Sequence, residues 1–383
     1  MIYLDNAATT RVADKYMPYI YRILWNEYGN PGSLHRFGKE AGDVLDRSRK
    51  RIAKTLLANE NNVIFTSSGS EANTLAILGL EKYLRETGKT HVVTSTYEHH
   101  SVLNSFKRLE EHGFSVSWLD PVNGCIPPAK VKNAICDKTG LVSIMYVNNE
   151  IGSMNDVAAI YRICAEEGVL FHSDCVQAMG TVAVSTKIAD AVTISGHKIH
   201  APKGSACLCT NYYDVLENII CGGGQEFGLR PGTENVAAAY VLGRAVMDAD
   251  FAARNTECVR YINNVTGSFL RKLRERCEKE DFDIYIEVSD NMTPSHKIMA
   301  FVVDGVEAET LVVALGEAGL CVSSGAACTK GSEEPSHVLK AIGMSDEEAR
   351  STIRVSFSDD NTEEEAAAAA EILVDTIKKL KSV

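Results

Sequence analysis

The sequence predicts an α/β protein with a mostly parallel sheet covered by helices, followed by a smaller α+β domain. Two observations predict this fold class. Between residues 60 and 210, short apolar runs typical of buried strands alternate with helical patterns. Beyond residue 235, a long helical stretch leads into a second, shorter alternation of strands and helices. A length of 383 residues leaves room for both domains.

The apolar runs of the first region are short and rich in β-branched residues, which favours strands over helices. We expect strands over residues 63–66, 91–95, 141–145, 168–172 and 191–194. The amphipathic stretches predict helices over residues 70–86, 99–112 and 155–167. In such a sheet, functional groups belong at the carboxyl ends of the strands.

A long helical stretch follows residue 235 and reaches about residue 280, with Thr233 as the candidate N-cap. After it, the pattern predicts strands over residues 297–303 and 352–357 and helices over residues 307–318 and 362–380. The sequence therefore predicts a large domain over residues 14–255. Residues 1–13 and 256–383 form the predicted small domain, which carries a loop over residues 323–334.

Composition excludes several classes of protein. The formal net charge of -12 and the absence of a basic stripe argue against direct binding of nucleic acid. No run of some twenty apolar residues is present, so we expect no membrane span, and the N-terminus does not resemble a signal peptide. The 11 cysteines include no C-x-x-C pair, which disfavours a disulfide framework or a metal site. We expect a cytoplasmic protein that binds no metal.

Lys198 and Asp174 are the first candidate functional residues. Each follows an apolar run that predicts a buried strand, so both side chains belong at the functional edge of the sheet. A lysine there can form a Schiff base with the aldehyde of pyridoxal 5'-phosphate (PLP), and an aspartate can keep its ring nitrogen protonated. The alternative is that both residues only cap their strands.

A turn that suits a phosphate follows the first predicted strand. Gly69 would let the backbone approach closely and the Ser70 hydroxyl can donate, at the start of a predicted helix. The turn lacks the G-K-[ST] ending of a nucleotide-binding loop, so ATP is not implied. The alternative is an ordinary serine-rich helix cap.

Further polar candidates lie at the ends of the neighbouring strands. His99 or His100 could stack on a cofactor ring and exchange protons, although lone histidines are more often structural. Gln177 could bond the phenolic oxygen of the ring, and Asn149 is a similar polar candidate.

Cys328 is placed unlike a core cysteine, because it belongs to a run of small residues without apolar anchors. An exposed cysteine is an oxidation hazard unless it has a function, and its thiolate would be a strong nucleophile. The alternative is an incidental cysteine in a loop.

The chain resembles, nearly end to end, the cysteine desulfurases of the nitrogen-fixation and iron–sulfur-cluster type within the class V aminotransferase family. The motifs that carry the resemblance are, in chain order, YLDNAATT (3–10), NPGSLH (30–35), GSE (69–71), EH (98–99), VNNEIG (147–152), DxxQ (174–177), SGHK (195–198), GGGQE (222–226), RxGT (230–233), SSGxxC (323–328) and IRVS (353–356). Any one of them is modest evidence, whereas the whole set in this order is very specific.

The resemblance implies a PLP-dependent transferase of fold type I with a seven-stranded sheet. By that resemblance, Lys198 carries the cofactor, Asp174 pairs with the ring nitrogen, Gln177 reaches the ring oxygen, and His99 stacks on the ring and moves protons. The other cofactor-binding residues implied are Gly69, Ser70, Asn149, Ser195, His197 and, from the other subunit of a homodimer, Thr233.

The resemblance also implies the reaction. Asn149, Arg354 and Asn30 would bind the substrate L-cysteine, and a guanidinium suits a carboxylate better than an ammonium does. Lys198 would remove the α proton and the Cys328 thiolate would attack the substrate sulfur. Alanine would leave, and Cys328 would keep a persulfide for a sulfur-acceptor protein.

The acceptor and the rival functions stay open. The chain ends at Val383 without the tail that housekeeping relatives use to dock a scaffold. A cluster scaffold and a tRNA-thiolation enzyme are therefore equally open as acceptors. The rival functions are a selenocysteine lyase or an aminotransferase on the same fold, and an inactive platform for sulfur-transfer partners. Cys328 argues against an aminotransferase, and the combination of Lys198, Asp174, His99 and Cys328 argues against a platform.

Overall fold

A seven-stranded sheet forms the centre of the protein. The computed structural model describes residues 1–280, 297–324 and 334–382. The spatial order of the central strands is β2-β8-β7-β6-β5-β3-β4. These strands are β2 Val63–Thr66, β3 His91–Ser95, β4 Ser115–Leu119, β5 Thr139–Ser143, β6 Leu170–Asp174, β7 Ala191–Ser195 and β8 Ala206–Thr210.

The central sheet is parallel except for β8, which runs antiparallel to both of its neighbours. Alternate residues of β8 pack into different cores: Cys207 and Cys209 lie in one apolar cluster and Leu208 in another. Both faces of the sheet are therefore covered, which explains why its central strands are almost entirely buried. The predicted fold class is confirmed.

Helices surround this sheet and extend beyond it. In chain order, α1 to α13 are Met17–Asn26, Arg36–Thr55, Gly69–Leu78, Glu81–Glu86, His100–Glu111, Pro128–Ala134, Val157–Glu166, Val236–Arg254, Thr256–Glu280, Ala308–Glu317, His337–Ala341, Asp346–Arg350 and Glu363–Lys381. Within the described ranges, no helix has the length and apolar character needed to cross a membrane.

Four details of the sequence prediction were wrong. The helix expected over residues 70–86 is two helices, α3 and α4, and the stretch expected from 235 to 280 is divided between α8 and α9 at Asn255. The N-cap of α8 is Asn235, whose side chain accepts from Ala238 N, and not Thr233. The strand expected over 141–145 begins two residues earlier, at Thr139.

A third apolar cluster lies around the smaller sheets. Strand β1 (Ile2–Tyr3) pairs in parallel with β10 (Leu320–Cys321). The antiparallel order β11-β12-β9 joins Ser323–Ser324, Thr352–Ser356 and Ile298–Val302. Helices α9 and α13 supply this core together with Leu4 near the N-terminus. The division into domains at residues 13 and 255 stays a prediction.

Candidate active site

The candidate site lies where β6 and β7 end. Asp174 is the last residue of β6 and Ser195 the last residue of β7, and the two strands are paired neighbours. Lys198 closes a single 3-10 turn, Gly196–Lys198, directly after β7. The parallel sheet therefore brings the predicted lysine and aspartate to the same edge.

Asp174 is buried and firmly held. Asn73 Nδ2 donates to Asp174 Oδ2 at 2.7 Å, and Val176 N donates to Oδ1 at 2.9 Å. The carboxyl group is 6% exposed. A buried carboxylate with two donors can accept a further charged hydrogen bond from a protonated ring nitrogen.

The turn at Gly69 forms the start of α3, beside the end of β7. Ser68 caps α3 by accepting from Glu71 N at 3.1 Å. A Cβ at Gly69 would lie 3.1 Å from Val176 Cγ2 and 3.4 Å from Ser195 Cβ, so only glycine permits this close approach without a shift. Ser195 Oγ is buried and has no hydrogen-bond partner among the described residues. A hydroxyl and the first amides of a helix thus converge where a phosphate could bind.

His99 caps the next helix, α5, and is linked to Asp174 through Asn73. His99 Nδ1 lies 2.8 Å from Ser101 Oγ, which in turn accepts from Asn73 Nδ2 at 2.9 Å. Burial lowers the pKa of His99, the charge of Lys198 lowers it further, and the charge of Asp174 opposes the shift. The imidazole therefore lies close enough to both groups to sense their charges.

Lys198 is held by the N-terminal segment. Its Nζ donates to Ala7 O and, at 2.7 Å, to Ala8 O. Gln177 Nε2 also donates to Ala7 O, at 2.9 Å, so its amide nitrogen already has an acceptor. Lys198 and Gln177 line a cavity of about 1200 Å³ together with Asn6 and Ala7. His99 and Asp174 do not line this cavity. Of the three residues Lys198, Asp174 and His99, only Lys198 lines it.

Arg354 and Asn149 lie together in a buried polar group. Arg354 Nη1 donates to Asn149 O at 2.9 Å, and Nη2 donates to Asp5 Oδ1 at 2.9 Å. Ser323 Oγ donates to the same oxygen of Asp5 at 2.8 Å. Arg354 is 3% exposed, yet its Nε and Asn149 Oδ1 have no partner within the described chain. A donor and an acceptor are thus left for a substrate.

Two buried carboxyl groups support the loops of the site. Glu98, beside His99, accepts from Ser95 Oγ at 2.6 Å and from Met145 N at 3.0 Å, and burial raises its pKa to about 8. Burial likewise raises the pKa of Glu150 to about 7. Sequence reasoning assigned no role to Glu98, although its position next to His99 in a buried turn was a usable signal.

Sequence reasoning also passed over Asn73 and Asp5, which are the direct partners of Asp174 and Arg354. Asn73 follows the Gly69 turn by four residues on α3, so one helical turn separates the two, and this spacing was the available signal. Asp5 offered no local signal, because its partner lies 349 positions away.

The remaining predicted residues differ in their placement. His197 is half-buried, its Nδ1 lies 3.2 Å from Thr9 Oγ1, and burial with nearby lysines lowers its pKa to about 4. Ser70, Asn30 and Thr233 are exposed on this single chain. Cys328 lies outside the described residues.

The arrangement fits PLP. It offers a lysine amine, a buried carboxylate, an unpartnered serine hydroxyl at a helix N-terminus and a neutral imidazole. These are the groups that an aldehyde, a ring nitrogen, a phosphate and an aromatic ring face require. Lys198, Asp174, His99 and Ser195 would hold it here.

Comparisons with known proteins identify relatives of this chain. The family model described as aminotransferase class-V matches residues 2–368. The cysteine desulfurase IscS of Shewanella oneidensis is 38% identical over 100% of this chain and 94% of its own length. The IscS of Clostridium botulinum is 35% identical over 100% of this chain and 96% of its own length.

Solved structures give the same result. A NifS-like protein has a TM-score of 0.89 at 28% identity and covers 100% of both chains. The structure described as SspA in complex with cysteine has a TM-score of 0.79 at 32% identity, covering 93% of this chain and 99% of its own.

Proposed function

The chain belongs to the class V aminotransferase family, and we propose that Lys198, Asp174, His99, Arg354 and Cys328 carry out the reaction of this PLP-dependent cysteine desulfurase. The substrate is L-cysteine. The observation that supports the assignment most strongly is that Lys198 and Asp174 lie where neighbouring strands end, with His99 joined to Asp174 through hydrogen bonds of Ser101 and Asn73. When bound, PLP stores the electron pair that is left on the substrate Cα after its proton is removed.

Each residue has a distinct task in this proposal. The Lys198 amine holds the cofactor and then takes the α proton, while Asp174 keeps the ring nitrogen protonated. Ser195, Gly69, Ser70 and His197 hold the phosphate. Arg354 binds the substrate carboxylate through Nε, the donor that has no partner among the described residues. Asn149 binds it through its amide nitrogen, because a carboxylate can only accept hydrogen bonds.

The sulfur step belongs to Cys328. Its thiolate attacks the substrate sulfur, a sulfur–sulfur bond forms, and the bond between that sulfur and Cβ breaks. The bonding electrons pass to Cβ, which takes up a proton, and Lys198 returns a proton to Cα. Alanine then leaves, and a persulfide stays on Cys328. A sulfur-acceptor protein, either a cluster scaffold or a tRNA-thiolation enzyme, then receives the outer sulfur.

A homodimer is part of the proposal. Tyr21, Leu24 and Trp25 lie on one face of α1 with i, i+3, i+4 spacing, and Tyr28 follows just beyond the end of the helix. All four are more than 60% exposed. With Leu34 they form what we term the aromatic face. A contiguous exposed apolar surface of this kind supports association with a second copy. Thr233 of the partner subunit would then reach the phosphate.

We also propose that the protein is located in the cytoplasm. The ten cysteines within the described ranges are all free thiols, several of them buried in the core. Free thiols persist in the reducing cytosol, whereas oxidising compartments favour disulfides.

The test is product formation from L-cysteine by PLP-loaded protein in the presence of a thiol reductant. We expect alanine and sulfide in equal amounts, above a control without enzyme. A 2-oxo acid formed from cysteine when an oxo-acid acceptor is supplied, without alanine, would indicate an aminotransferase instead. A strong preference for selenocysteine in direct competition would indicate a selenocysteine lyase.

A further inference from the structure

His99 uses one ring nitrogen to cap a helix. Its backbone is extended, with φ -61° and ψ 146°, and its side chain accepts a hydrogen bond from the backbone N–H of Ser101 at the start of α5. The acceptor atom is Nδ1, 3.1 Å from Ser101 N. N-caps are usually Ser, Thr, Asp or Asn, so an imidazole in this position is chemically informative.

The cap fixes the position of the ring proton. A backbone N–H can only donate, so Nδ1 must offer a lone pair and cannot carry hydrogen. Ser101 Oγ, 2.8 Å from the same nitrogen, already accepts from Asn73 Nδ2 and therefore directs its own proton to Nδ1. A neutral imidazole has one N–H, which must then be on Nε2, the distal nitrogen.

The surroundings disfavour a second proton on the ring. Nδ1 is occupied by two donors, and the positive end of the α5 dipole opposes a cation at the helix start. Lys198 and His100 face the ring with further positive character, and Asp174 is the nearby acid that opposes them. The pKa of His99 is lowered, first of all by burial.

We infer that His99 works as a neutral hydrogen-bond donor through Nε2–H, and that Ser101 and Asn73 are positioning residues that lock this tautomer and join it to Asp174. The inference rests on the assignment of His99 to the cofactor site made above. It refines the expected proton-moving role, because an imidazole whose Nε2 already carries hydrogen cannot accept a proton there. Lys198 then remains as the base.

NMR spectroscopy can determine the tautomer of His99 directly. Protein labelled with ¹⁵N-histidine and loaded with PLP is examined by long-range ¹H–¹⁵N correlation, and the His99 signals are identified by their absence in His99→Gln. We expect an unprotonated Nδ1 and a protonated Nε2 that stay unchanged between about pH 6 and pH 8, around the ordinary histidine pKa. A protonated Nδ1, or both nitrogens protonated, would overturn the inference.

The NMR measurement of the His99 tautomer does not depend on catalytic turnover. If the protein makes no alanine from cysteine but shows the expected tautomer, the proposed reaction fails and the inference about His99 stands. If alanine forms while Nδ1 carries the proton, the inference fails and the reaction stands.

The positioning role has its own variants. Ser101→Ala leaves the backbone donor but removes the hydroxyl, so Nδ1 loses one of its two hydrogen bonds and the link to Asn73, and its ¹⁵N signal shifts. We expect kcat to fall about tenfold with KM within about twofold. Ser101→Thr keeps the hydroxyl and should restore both kcat and the NMR signature. Ser105→Ala is the matched control one turn later on α5, since Ser105 Oγ donates only to Ser101 O.

The pH profile supplies an independent check. If His99 stays neutral, kcat of the wild-type enzyme contains no ionisation of this residue between about pH 6 and pH 8. A limb in that range that disappears in His99→Gln would contradict a neutral donor. Unchanged kcat and an unchanged His99 signal in Ser101→Ala would contradict the positioning role of Ser101.

Discussion

Lys198 lies one short turn beyond β7, which is why a single strand was enough to predict its place in the site. Asp174 is the last residue of β6 and was predictable for the same reason. Their partners were harder to predict. Asn73 lies 101 positions from Asp174, and its role depends on how α3 packs against the sheet. Local patterns can place a residue at a strand end, but they do not determine which distant side chain it will bond.

Removal of the Lys198 amine tests the cofactor anchor. We expect Lys198→Ala to bind PLP without a covalent link, because Lys198 supplies the amine that a Schiff base requires. Borohydride reduction followed by mass analysis should fix cofactor to the wild-type chain and not to the variant. Lys203→Ala, at an exposed lysine five residues away, is the control and should behave as wild type. Cofactor fixed to Lys198→Ala would identify another lysine as the anchor.

Arg354 offers a guanidinium already oriented by two acceptors, Asp5 and the carbonyl of Asn149. Arg354→Lys keeps the charge but loses the planar, two-pronged donor. We expect KM for L-cysteine to rise at least about tenfold, equivalent to about 1.4 kcal/mol, with PLP binding unchanged. Steady-state kinetics measure this KM. The control is Arg350→Lys, which changes an exposed arginine. An unchanged KM would remove Arg354 from the substrate site.

At the scale of elements, strands that are buried on both faces were well predicted because their sequences are continuous apolar runs. The edge strand β4 was missed, since only one side of it is paired and its serines interrupt the apolar pattern. Helix α2 was missed although its buried residues, among them Ala41, Val44, Leu45 and Ser48, have clear helical spacing. The break at Asn255 was also readable, because this asparagine caps α9 by accepting from Glu257 N at 2.9 Å.

A buried ion pair between Arg49 and Glu226 attaches the segment that carries the GGGQE motif to the central sheet. Sequence reasoning did not identify this pair. Glu226 accepts from Arg49 Nη1 and Nη2 at 2.9 and 2.6 Å and from Phe65 N at 2.7 Å. The Arg49 guanidinium also lies 4.9 Å from the centre of the Phe65 ring. This pair links α2 to β2 and fixes the chain a few residues before Thr233.

Loss of that ion pair should be costly. Glu226→Gln leaves the Arg49 charge buried and unpaired, so we expect the free energy of unfolding to fall by about 3 kcal/mol. Urea unfolding followed by circular dichroism measures the change. The matched control is Glu217→Gln, which breaks an exposed pair with Lys82 and should cost less than about 1 kcal/mol. Equal losses in the two variants would contradict the structural role of Glu226.

At the scale of the whole molecule, the described residues form three apolar clusters and three sheets, whereas the assembly does not follow from the chain. The site residues described here all come from one chain, whereas the exposed Thr233 is proposed to act in the site of a second copy. Sequence patterns reveal which faces of a helix or strand are apolar. They cannot distinguish an interface from a core, because only the fold shows which apolar faces stay exposed to solvent.

The aromatic face provides the test of the dimer. Two charges introduced by Leu24→Asp and Trp25→Asp should prevent association, because carboxylates cannot be buried there without a partner. Analytical ultracentrifugation should show a dimer for the wild-type protein and a monomer for the double variant. Val313→Asp, at another exposed apolar residue, is the control and should stay dimeric. A double variant that remains dimeric would place the interface elsewhere.

The most direct test of the account as a whole is product formation by Cys328→Ala loaded with PLP. In our proposal, persulfide formation requires the Cys328 thiolate, whereas Lys198, Asp174 and the turn at Gly69 hold the cofactor. We predict that the variant keeps the bound cofactor and its absorbance but releases no sulfide from L-cysteine, while the wild-type protein releases sulfide and alanine in equal amounts. Sulfide release by Cys328→Ala at the wild-type rate would contradict the account.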